Sequence, residues 1–382
     1  MPQKREPVIG VEQEENPSAF KHTIGPALLQ KVGREIEAVH PAFDRQAFES
    51  IGPELAPLEL KPRVVRVRDE LARQLPATYA QALAILLAAA ERGNLSGFDI
   101  WPFTDFVQTF GLGERQRSLD ALKVLTRRFT SEFAVRPFIR LHPEQTLAYL
   151  LRCTASDNAH DRRWASEGSR PRLPWGERLQ KLVADPRPTL PILRALVFDE
   201  SLYVRKSVAN HLNDIAKDHP EYVVNTLLAW REQAKTADEQ ARLAWITRHA
   251  LRTLIKAGHP QALEAVGVDA EAVFHVHGFH FEQATYAMGE ALVFAIDLES
   301  RAAKSQRIVL DYAVHYRKAN GKLAPKVFKW KTFELPAGAR VRLEKRHVLK
   351  DVTTRVHHPG EHALSVQING RTLKTLHWHL AR

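Results

Sequence analysis

The chain has 382 residues, of which 44% are hydrophobic and 26% are charged. This length accommodates two domains, and the composition excludes a disordered or fibrous protein. The formal net charge is +11, which favours nucleic acid or another polyanion as partner. No apolar run approaches the ~18 residues of a membrane span, so we expect no membrane contact.

Residues 1–19 are polar, are interrupted by prolines and lack the apolar stretch of a signal peptide. We therefore predict a disordered tail over this segment. Cys153 is the single cysteine, so no internal disulfide is possible and a reducing compartment is expected. We predict a cytoplasmic, monomeric protein.

The pattern over residues 20–270 is helical. The stretch "PATYAQALAILLAAAERG" has apolar residues three to four apart and ends on Gly93, a natural helix stop. The stretches "PEYVVNTLLAWREQ" and "RLAWITRHALRTLIKAGHP" follow the same pattern, and the second ends at Gly258 and Pro260. We predict an all-α domain over this range.

A short motif recurs within the helical range. It appears as RRFTSEF at 127–133, RRWASEG at 162–168, RKSVANH at 205–211 and RHALRTL at 248–254. The starting positions differ by 35, 43 and 43 residues. This period is typical of two-helix HEAT repeats, so we predict a HEAT-like solenoid.

Equivalent positions of successive repeats line one concave surface of a solenoid. We therefore expect Glu132, Glu167 and Asn210 to lie side by side, with Asp214 just beyond and a column of arginines beside them. Two interpretations remain open at this point. The arginines could bind the backbone of a duplex, or they could pair with acids of neighbouring repeats and hold the stack together.

From about Val273 the period changes to two, and turn signals such as Asn320-Gly321 and Pro359-Gly360 separate short β-rich runs. About seven strands in this range predict an antiparallel immunoglobulin-like β-sandwich over 271–382. The predicted fold is thus an N-terminal all-α HEAT-like solenoid followed by this sandwich.

The sandwich carries most of the excess charge, with 18 Lys and Arg against 9 Asp and Glu from Val273 to Arg382. These cations either form a second grip on a duplex or keep exposed strands in solution; they include Lys326, Lys329, Lys331, Arg340, Arg342, Lys345 and Arg346. Two histidine pairs, His275/His277 and His377/His379, have a spacing that a metal could use. No carboxylate or cysteine accompanies them as a motif, so we predict no metal and no other cofactor.

At this point the residues carry a family resemblance. "RRFTSEFAVRPFI", "RRWASEGSRPRLPW" and "YVRKSVANHLNDIAKDHPE" resemble segments of the HEAT-like-repeat DNA alkylation-repair glycosylases, the AlkC/AlkD group. The resemblance covers roughly Phe20 to Ala265 and is closer to AlkC. The β-domain is similar to the immunoglobulin-like extension of one AlkC subgroup. Asp161 departs from the family pattern, where a valine usually precedes the Arg-Arg pair.

The resemblance implies a monofunctional DNA glycosylase that removes N-alkylated bases, such as 3-methyladenine and 3-methylcytosine, from double-stranded DNA. It also implies that the lesion is not flipped into a deep pocket. By motif, the family's acids fall on Glu132, Glu167 and Asp214, and its tryptophan falls on Trp175.

The chemistry of these residue types agrees with that implication. A cationic alkylated base is already a good leaving group, so the barrier lies in the oxocarbenium-like charge on the sugar. Preorganised carboxylates at Glu132 and Glu167 would stabilise that charge. Asp214 would position and activate water, and Trp175 would lie against the sugar or base. The alternatives are an ion pair of Glu167 with Arg163 or Arg170, and packing of Trp175 on Pro174.

Further residues are candidates for contacts with the DNA backbone or for pairing between repeats: Arg163, Arg170, Arg172, Arg205, Lys206, Asn210 and Arg248. We predict that Trp164 packs in the core. Since no lysine stands out beside the acids, no lyase step is expected. Two rival functions are a non-catalytic HEAT scaffold that binds DNA or protein, and an RNA-binding repeat module.

Overall fold

A computed structural model describes residues 20–269, 271–351 and 356–381, so the predicted tail of 1–19 lies outside the described residues. The chain divides into two compact units between Ala195 and Leu196. No helix among the described residues is long and apolar enough to cross a bilayer.

The first unit is helical. Its α-helices are α1 (Pro26–Glu37), α2 (Arg45–Glu49), α3 (Gly52–Leu55), α4 (Leu60–Gln74), α5 (Tyr79–Glu91), α6 (Trp101–Phe110), α7 (Arg115–Leu125), α8 (Arg136–Leu141), α9 (Pro143–Cys153), α10 (Ala159–Gly168) and α11 (Gln180–Ala184), with α12 (Leu190–Leu196) ending just past the division. Short 3-10 turns occupy Phe20–Thr23, Gly97–Ile100, Leu112–Glu114 and Arg187–Thr189.

The helices begin where the sequence supplies caps. The Asp44 carboxylate accepts the Ala47 amide at the start of α2, and Asn158 accepts the His160 amide at the start of α10. Proline at the first turn of α9 has a fixed φ that suits a helix start. Trp164 is fully buried, which confirms its predicted place in the core.

The repeated motif does not have one conformation. Residues 162–168 lie in α10, but 127–133 form the turn that connects α7 to α8. The copy at 205–211 lies in α13 (Leu202–Ile215), and the copy at 248–254 spans a helix break. The first copy therefore does not share the helical conformation of the second and third, and the helix predicted to run through the last copy is interrupted.

The second unit continues with α13, α14 (Pro220–Gln233), α15 (Ala237–Ala250), α16 (Arg252–Lys256) and α17 (Pro260–Ala265). The bounds of α14 coincide with the predicted stretch. The stretch predicted as one helix from Arg242 divides at Leu251 into α15 and α16. The predicted domain boundary at 270/271 falls between the end of α17 and the first strand, and the boundary itself stays a prediction.

In the described part of the sandwich, eight strands form two sheets: β1 (Phe274–Phe281), β2 (Thr285–Tyr286), β3 (Ala291–Ser300), β4 (Gln306–Arg317), β5 (Leu323–Leu335), β6 (Arg340–Val348), β7 (Gly360–Ile368) and β8 (Arg371–Leu380). One sheet has the order β1-β3-β6 and the other β2-β8-β7-β4-β5. All pairs are antiparallel except β2 with β8. The two-residue β2 is too short for a period-two signal, which is why about seven strands were predicted.

The two sheets share one apolar core, which includes Phe294 and Leu298 from the first sheet and Tyr312, Leu364 and Trp378 from the second. The inward side chains alternate with exposed ones along most strands, as in β6. This arrangement confirms the predicted fold class of a helical region followed by an immunoglobulin-like sandwich.

Candidate active site

In the first unit, one arginine joins two of the predicted catalytic acids. The Arg163 guanidinium lies 2.7 Å from the Glu132 carboxylate and 3.7 Å from that of Glu167. Arg170 contacts Glu167 at 2.6 Å. Glu132, Glu167 and Arg170 are each less than a tenth exposed. The structure therefore brings Glu132, Arg163, Glu167 and Arg170 into a single buried chain of ion pairs, hereafter the acid cluster.

Local structure explains how Glu167 reaches its partners. Residues four apart on a helix share a face, so Arg163 and Glu167 on α10 are neighbours. The helix ends at Gly168, where an added Cβ would lie 2.6 Å from a Val135 methyl group. Only glycine lets the chain pass this close to Val135, and the turn that follows returns Arg170 to Glu167.

Glu132 approaches from a turn rather than from a helix. Its carboxylate accepts the Thr130 hydroxyl at 2.6 Å, and the same hydroxyl oxygen accepts from Arg163 at 3.0 Å. Thr130 was not predicted as a site residue. Because a small hydroxyl residue two positions before an acid is common in turns, its sequence signal is weak.

Trp175 has an unusual backbone for a large residue. Its φ is +64°, in the left-handed region that glycine favours, and its side chain is 56% exposed. Such strain persists only where the surroundings over-determine it, and it is concentrated at functional sites. The predicted alternative, a tryptophan packed on Pro174, does not account for this exposure.

Arg136 holds the segment that carries Trp175. Its guanidinium donates to the carbonyl oxygens of Gly168 at 3.0 Å, Arg170 at 2.8 Å and Glu177 at 2.6 Å. Arg136 is 1% exposed, and Lys61 donates to the Trp175 carbonyl. Arg136 thus fixes the backbone on both sides of Trp175: at Gly168 and Arg170, where the acid cluster ends, and at Glu177. Nothing in the sequence indicated this role for Arg136.

A groove of about 470 Å³ lies beside Trp175. Its walls combine aromatic and charged groups, among them Lys61, Arg68, Trp101, Asp105, Phe133 and Arg140. Burial raises the pKa of the Asp105 carboxyl, although Arg68, 2.8 Å away, acts in the opposite direction. The groove offers both stacking surfaces and cations next to the exposed indole.

In the second unit, the predicted Asp214 lies on α13 and is 2% exposed. Lys217, one turn further along, contacts its carboxylate at 3.0 Å. Asp214 and the acid cluster thus lie in different units. Asn210 on the same helix accepts from Arg252 at 3.1 Å through its side-chain oxygen, which also lies 3.2 Å from His249.

The predicted DNA-contacting cations differ in their surroundings. Lys206 and Arg248 are exposed and Arg172 is half-buried. Arg205 donates to the carbonyl oxygens of Asp199 and Glu200, six and five residues before it. Arg162 makes the equivalent bonds to Ser156 and Asp157, as expected for equivalent repeat positions. Contact of these cations with DNA stays a prediction.

Pairing between repeats is also present. The Arg127 guanidinium donates to both oxygens of Asp161, at 3.0 and 2.7 Å, and Asp161 is fully buried. Asp161, the departure from the family pattern, thus receives the first arginine of the preceding motif. Together with the Arg163–Glu132 contact, this supports the interpretation that arginines hold the stack.

The histidine pairs have partners that the sequence pattern did not show. His277 contacts Glu299 on the neighbouring strand, and His377 contacts Glu361. Within residues 20–269, 271–351 and 356–381, no group of three or more His, Cys, Asp or Glu side chains is arranged to hold a metal ion.

Comparison with known proteins gives three findings. Residues 275–382 match the family model described as uncharacterised protein YhaZ, C-terminal Ig-like domain. Over 359 residues the chain is 38% identical to the uncharacterized protein YhaZ of Bacillus subtilis (strain 168), which covers 94% of this chain and 98% of the relative. The solved structure of Pseudomonas fluorescens alkylpurine DNA glycosylase AlkC bound to DNA containing an abasic site analog is 41% identical, with a TM-score of 0.89, and covers 95% of this chain and 100% of that chain.

Proposed function

Because the chain belongs to the AlkC/YhaZ-type family, we propose that it is a DNA glycosylase for alkylated bases. The proposal extends to cationic N-alkylated bases such as 3-methyladenine and 3-methylcytosine, released by hydrolysis of the N-glycosidic bond without flipping into a deep pocket. The helical range 20–270 would hold the lesion, and the basic sandwich over 271–382 would grip the duplex.

The observation that carries the proposal is the acid cluster together with Trp175. Arginines hold the two buried carboxylates in fixed positions, and Arg136 connects them to the segment of an exposed, strained tryptophan. Fixed charges stabilise a transition state without reorganisation when it forms. In glycosidic cleavage the developing charge is positive and lies on the sugar, so carboxylates are the suitable groups.

Each residue then has a role in the proposed reaction. Glu132 and Glu167 stabilise the developing oxocarbenium charge, and the cationic base leaves without a general acid. Asp214 orients water and accepts its proton as water attacks the anomeric carbon. Trp175 lies against the sugar or the base through its π face, worth roughly 1 kcal/mol or more when desolvated. No covalent enzyme intermediate is involved, so the enzyme is monofunctional.

The test is single-turnover release of 3-methyladenine from methylated duplex DNA. We expect Glu167→Gln to lower the rate on the order of 10²-fold and Asp214→Asn by about 10² or more. Glu144→Gln, a change of an acid on α9 outside the acid cluster, is the matched control and should leave the rate unchanged. Absence of release by the unaltered protein would refute the enzyme, and full activity of both site variants would refute the assignment of roles.

The second candidate is a non-catalytic scaffold, which the Arg127–Asp161 and Arg163–Glu132 pairs favour because they connect repeats. A scaffold would bind undamaged and alkylated duplexes equally and release no base. The same release assay therefore separates the two functions.

A further inference from the structure

The second unit contains a cavity with a largely apolar inner wall and five cationic residues in its lining, which the proposed reaction does not use. It has a volume of about 140 Å³ and lies between helices α15–α17 and the strands β4 and β5. The helices contribute Arg248, Arg252 and Lys256, and the strands contribute Arg307 and Lys329. The volume exceeds by several-fold the space that one water needs. We call this cavity the seam cavity.

Among the described residues, most of these cations have no acid in direct contact with them. Within the part of the chain that the structure describes, the side chains of Arg248, Lys256, Arg307 and Lys329 make no hydrogen bond and no ion pair. Arg252 is the exception, because it donates to the His249 carbonyl and to Asn210. Like charges left together around a cavity repel one another unless an anion enters.

Among the described residues that line the cavity, Asp311 is the one carboxylate. It is 5% exposed and lies opposite Lys329 in the register of β4 and β5. Burial raises the pKa of the Asp311 carboxyl, while Lys256 and Lys329 act in the opposite direction. With one acid and five cations, the lining residues carry a positive formal charge whether or not that acid is ionised.

The walls of the seam cavity are held rigidly. Val268 and Leu263 pack on Val309 of β4. Asn369 accepts the Val309 amide at 2.7 Å and donates to the carbonyls of Asp269 and Arg307, at 2.7 and 3.2 Å. The cations therefore stand on elements that are already fixed together, which lowers the ordering entropy that binding would cost.

Two glycines bring the helices and the sheet unusually close. A Cβ added to Gly370 would lie 1.9 Å from the Gly258 Cα, and both residues have a positive φ. No other residue fits at either position without displacing the backbone. Gly258 follows α16 and Gly370 precedes β8, so their contact is a second place where the helices are fixed against the sheet.

The positive surface continues beyond the cavity. A neighbouring groove of about 480 Å³ shares Arg248, Arg307 and Val266 with it and adds Arg231. Arg231 and Arg248 of this groove and Lys256 and Lys329 of the seam cavity are exposed, so an anion can reach this row of cations from water. A ligand with one anionic group fits the cavity, and one with successive anionic groups fits the row.

We propose that the seam cavity is a binding site for a phosphate group, held by Arg248, Lys256, Arg307 and Lys329. Arginine suits a tetrahedral oxyanion because its planar fork donates two parallel hydrogen bonds, and lysine adds a point charge. The phosphate can come from a duplex backbone or from a free phosphate, and the two sources share this chemistry. Only the duplex source rests on the proposed function.

The experiment compares the full chain with Arg307→Gln/Lys329→Gln, which removes two charges from the cavity. The matched control is Lys318→Gln/Lys322→Gln, an equal charge change in the exposed turn of the same β4–β5 hairpin. Inorganic phosphate is titrated by calorimetry at constant ionic strength. Undamaged duplex binding is measured by fluorescence anisotropy over a range of salt. Thermal unfolding of each variant verifies the fold.

For a free phosphate, we expect binding that weakens by about tenfold or more in the cavity variant and not in the control. For a backbone phosphate, the plot of log affinity against log salt should become shallower by about one for each phosphate that the variant no longer binds, again beyond the control. If the cavity variant matches the control in both measurements, the proposal is overturned.

Asp311→Asn provides a test of opposite sign. Removing the negative charge of Asp311 should tighten phosphate or duplex binding by about fivefold, whereas damage to the seam would weaken it. Weaker binding by a normally folded Asp311→Asn protein would also overturn the proposal. Base release is not measured, so failure of the seam cavity and failure of the glycosylase proposal remain distinguishable.

Discussion

Arg163 on α10 reaches back to Glu132, which lies in the turn before α8, at 2.7 Å, while it stays 3.7 Å from Glu167 on its own helix. The stronger contact is thus between motifs and not within one. Side-chain exposures of 17% for Arg163 and 10% for Glu132 place the pair largely out of water. Removing one partner of a buried ion pair leaves the other charge uncompensated. The free-energy cost of this exceeds the net stabilisation that the intact pair provides.

We therefore expect Arg163→Gln to lower the free energy of unfolding by about 3 kcal/mol. Urea denaturation of the full chain measures this change. The salt dependence of duplex binding, measured in the same variant, should keep its slope, because the guanidinium is occupied by Glu132 and Thr130. A slope shallower by about one, with unchanged stability, would instead assign Arg163 to a phosphate.

In the Arg127–Asp161 pair, the contribution of charge to stability can be measured separately from that of packing. Asp161 is fully buried, whereas the Arg127 side chain is 44% exposed. We expect Arg127→Met to cost about 3 kcal/mol, because it leaves the buried acid with only the Ser156 hydroxyl at 2.8 Å and Lys123 at 4.0 Å. Asp161→Val, the residue that the family pattern favours, should cost less because the arginine can turn to water.

The double variant Arg127→Met/Asp161→Val should recover most of the stability that Arg127→Met alone removes, and urea denaturation of the four proteins gives the coupling energy directly. Stability changes that simply add would show that the two residues act independently.

Much of the fold was accessible from the sequence because periodicity reports burial directly. The bounds of α14, the buried Trp164 and the β-sandwich all follow from apolar spacing. A further repeat, His-Pro-Glu at 142–144 and 219–221, was not predicted. The two histidines have nearly equal dihedral angles and each precedes a helix whose first residue is proline.

The parts of the site that were not predicted depend on the path of loops. Arg136 fixes the segment around Trp175 through three carbonyl oxygens, and main-chain acceptors leave no trace in a sequence. Thr130 contributes through the turn between α7 and α8, whose path the repeated motif did not indicate. Spacing identified the acids but not the bonds that hold them.

The backbone conformation of Trp175 predicts that a substitution there lowers activity without lowering stability. A non-glycine residue in the left-handed region costs roughly 1–2 kcal/mol, so Trp175→Gly should not lower the free energy of unfolding. The excision rate should nevertheless fall by about tenfold, because the indole no longer contacts the sugar or base. Urea denaturation and single-turnover base release measure the two effects.

Trp175→Asn is the control for the backbone, since asparagine also tolerates this region. It should retain stability and lose activity like Trp175→Gly. Full activity in either variant would contradict a role for the indole in the reaction.

We expect His362 on β7 to make the stability of the second unit depend on pH. It is fully buried and stacks on Trp378 with ring centroids 4.6 Å apart. Burial lowers the pKa of its imidazole below 6.5, and the charges of His357, Arg317 and His379 lower it further, against an opposing hydrogen bond to the His358 carbonyl. The neutral ring accepts the Arg317 amide, so protonation would also remove that acceptor.

The sign of the effect follows from proton binding. Below a pH of about 6.5 the unfolded chain takes up a proton at His362 that the folded protein binds more weakly, so stability falls as pH decreases, by up to about 1.4 kcal/mol per pH unit from this residue. The decrease continues until the pH reaches the lowered folded pKa. We expect His362→Gln to be less stable than the unaltered protein at neutral pH but to lose less stability on acidification. Urea denaturation at each pH measures both, and His280→Gln, an exposed change in the same sandwich, should follow the unaltered protein at every pH.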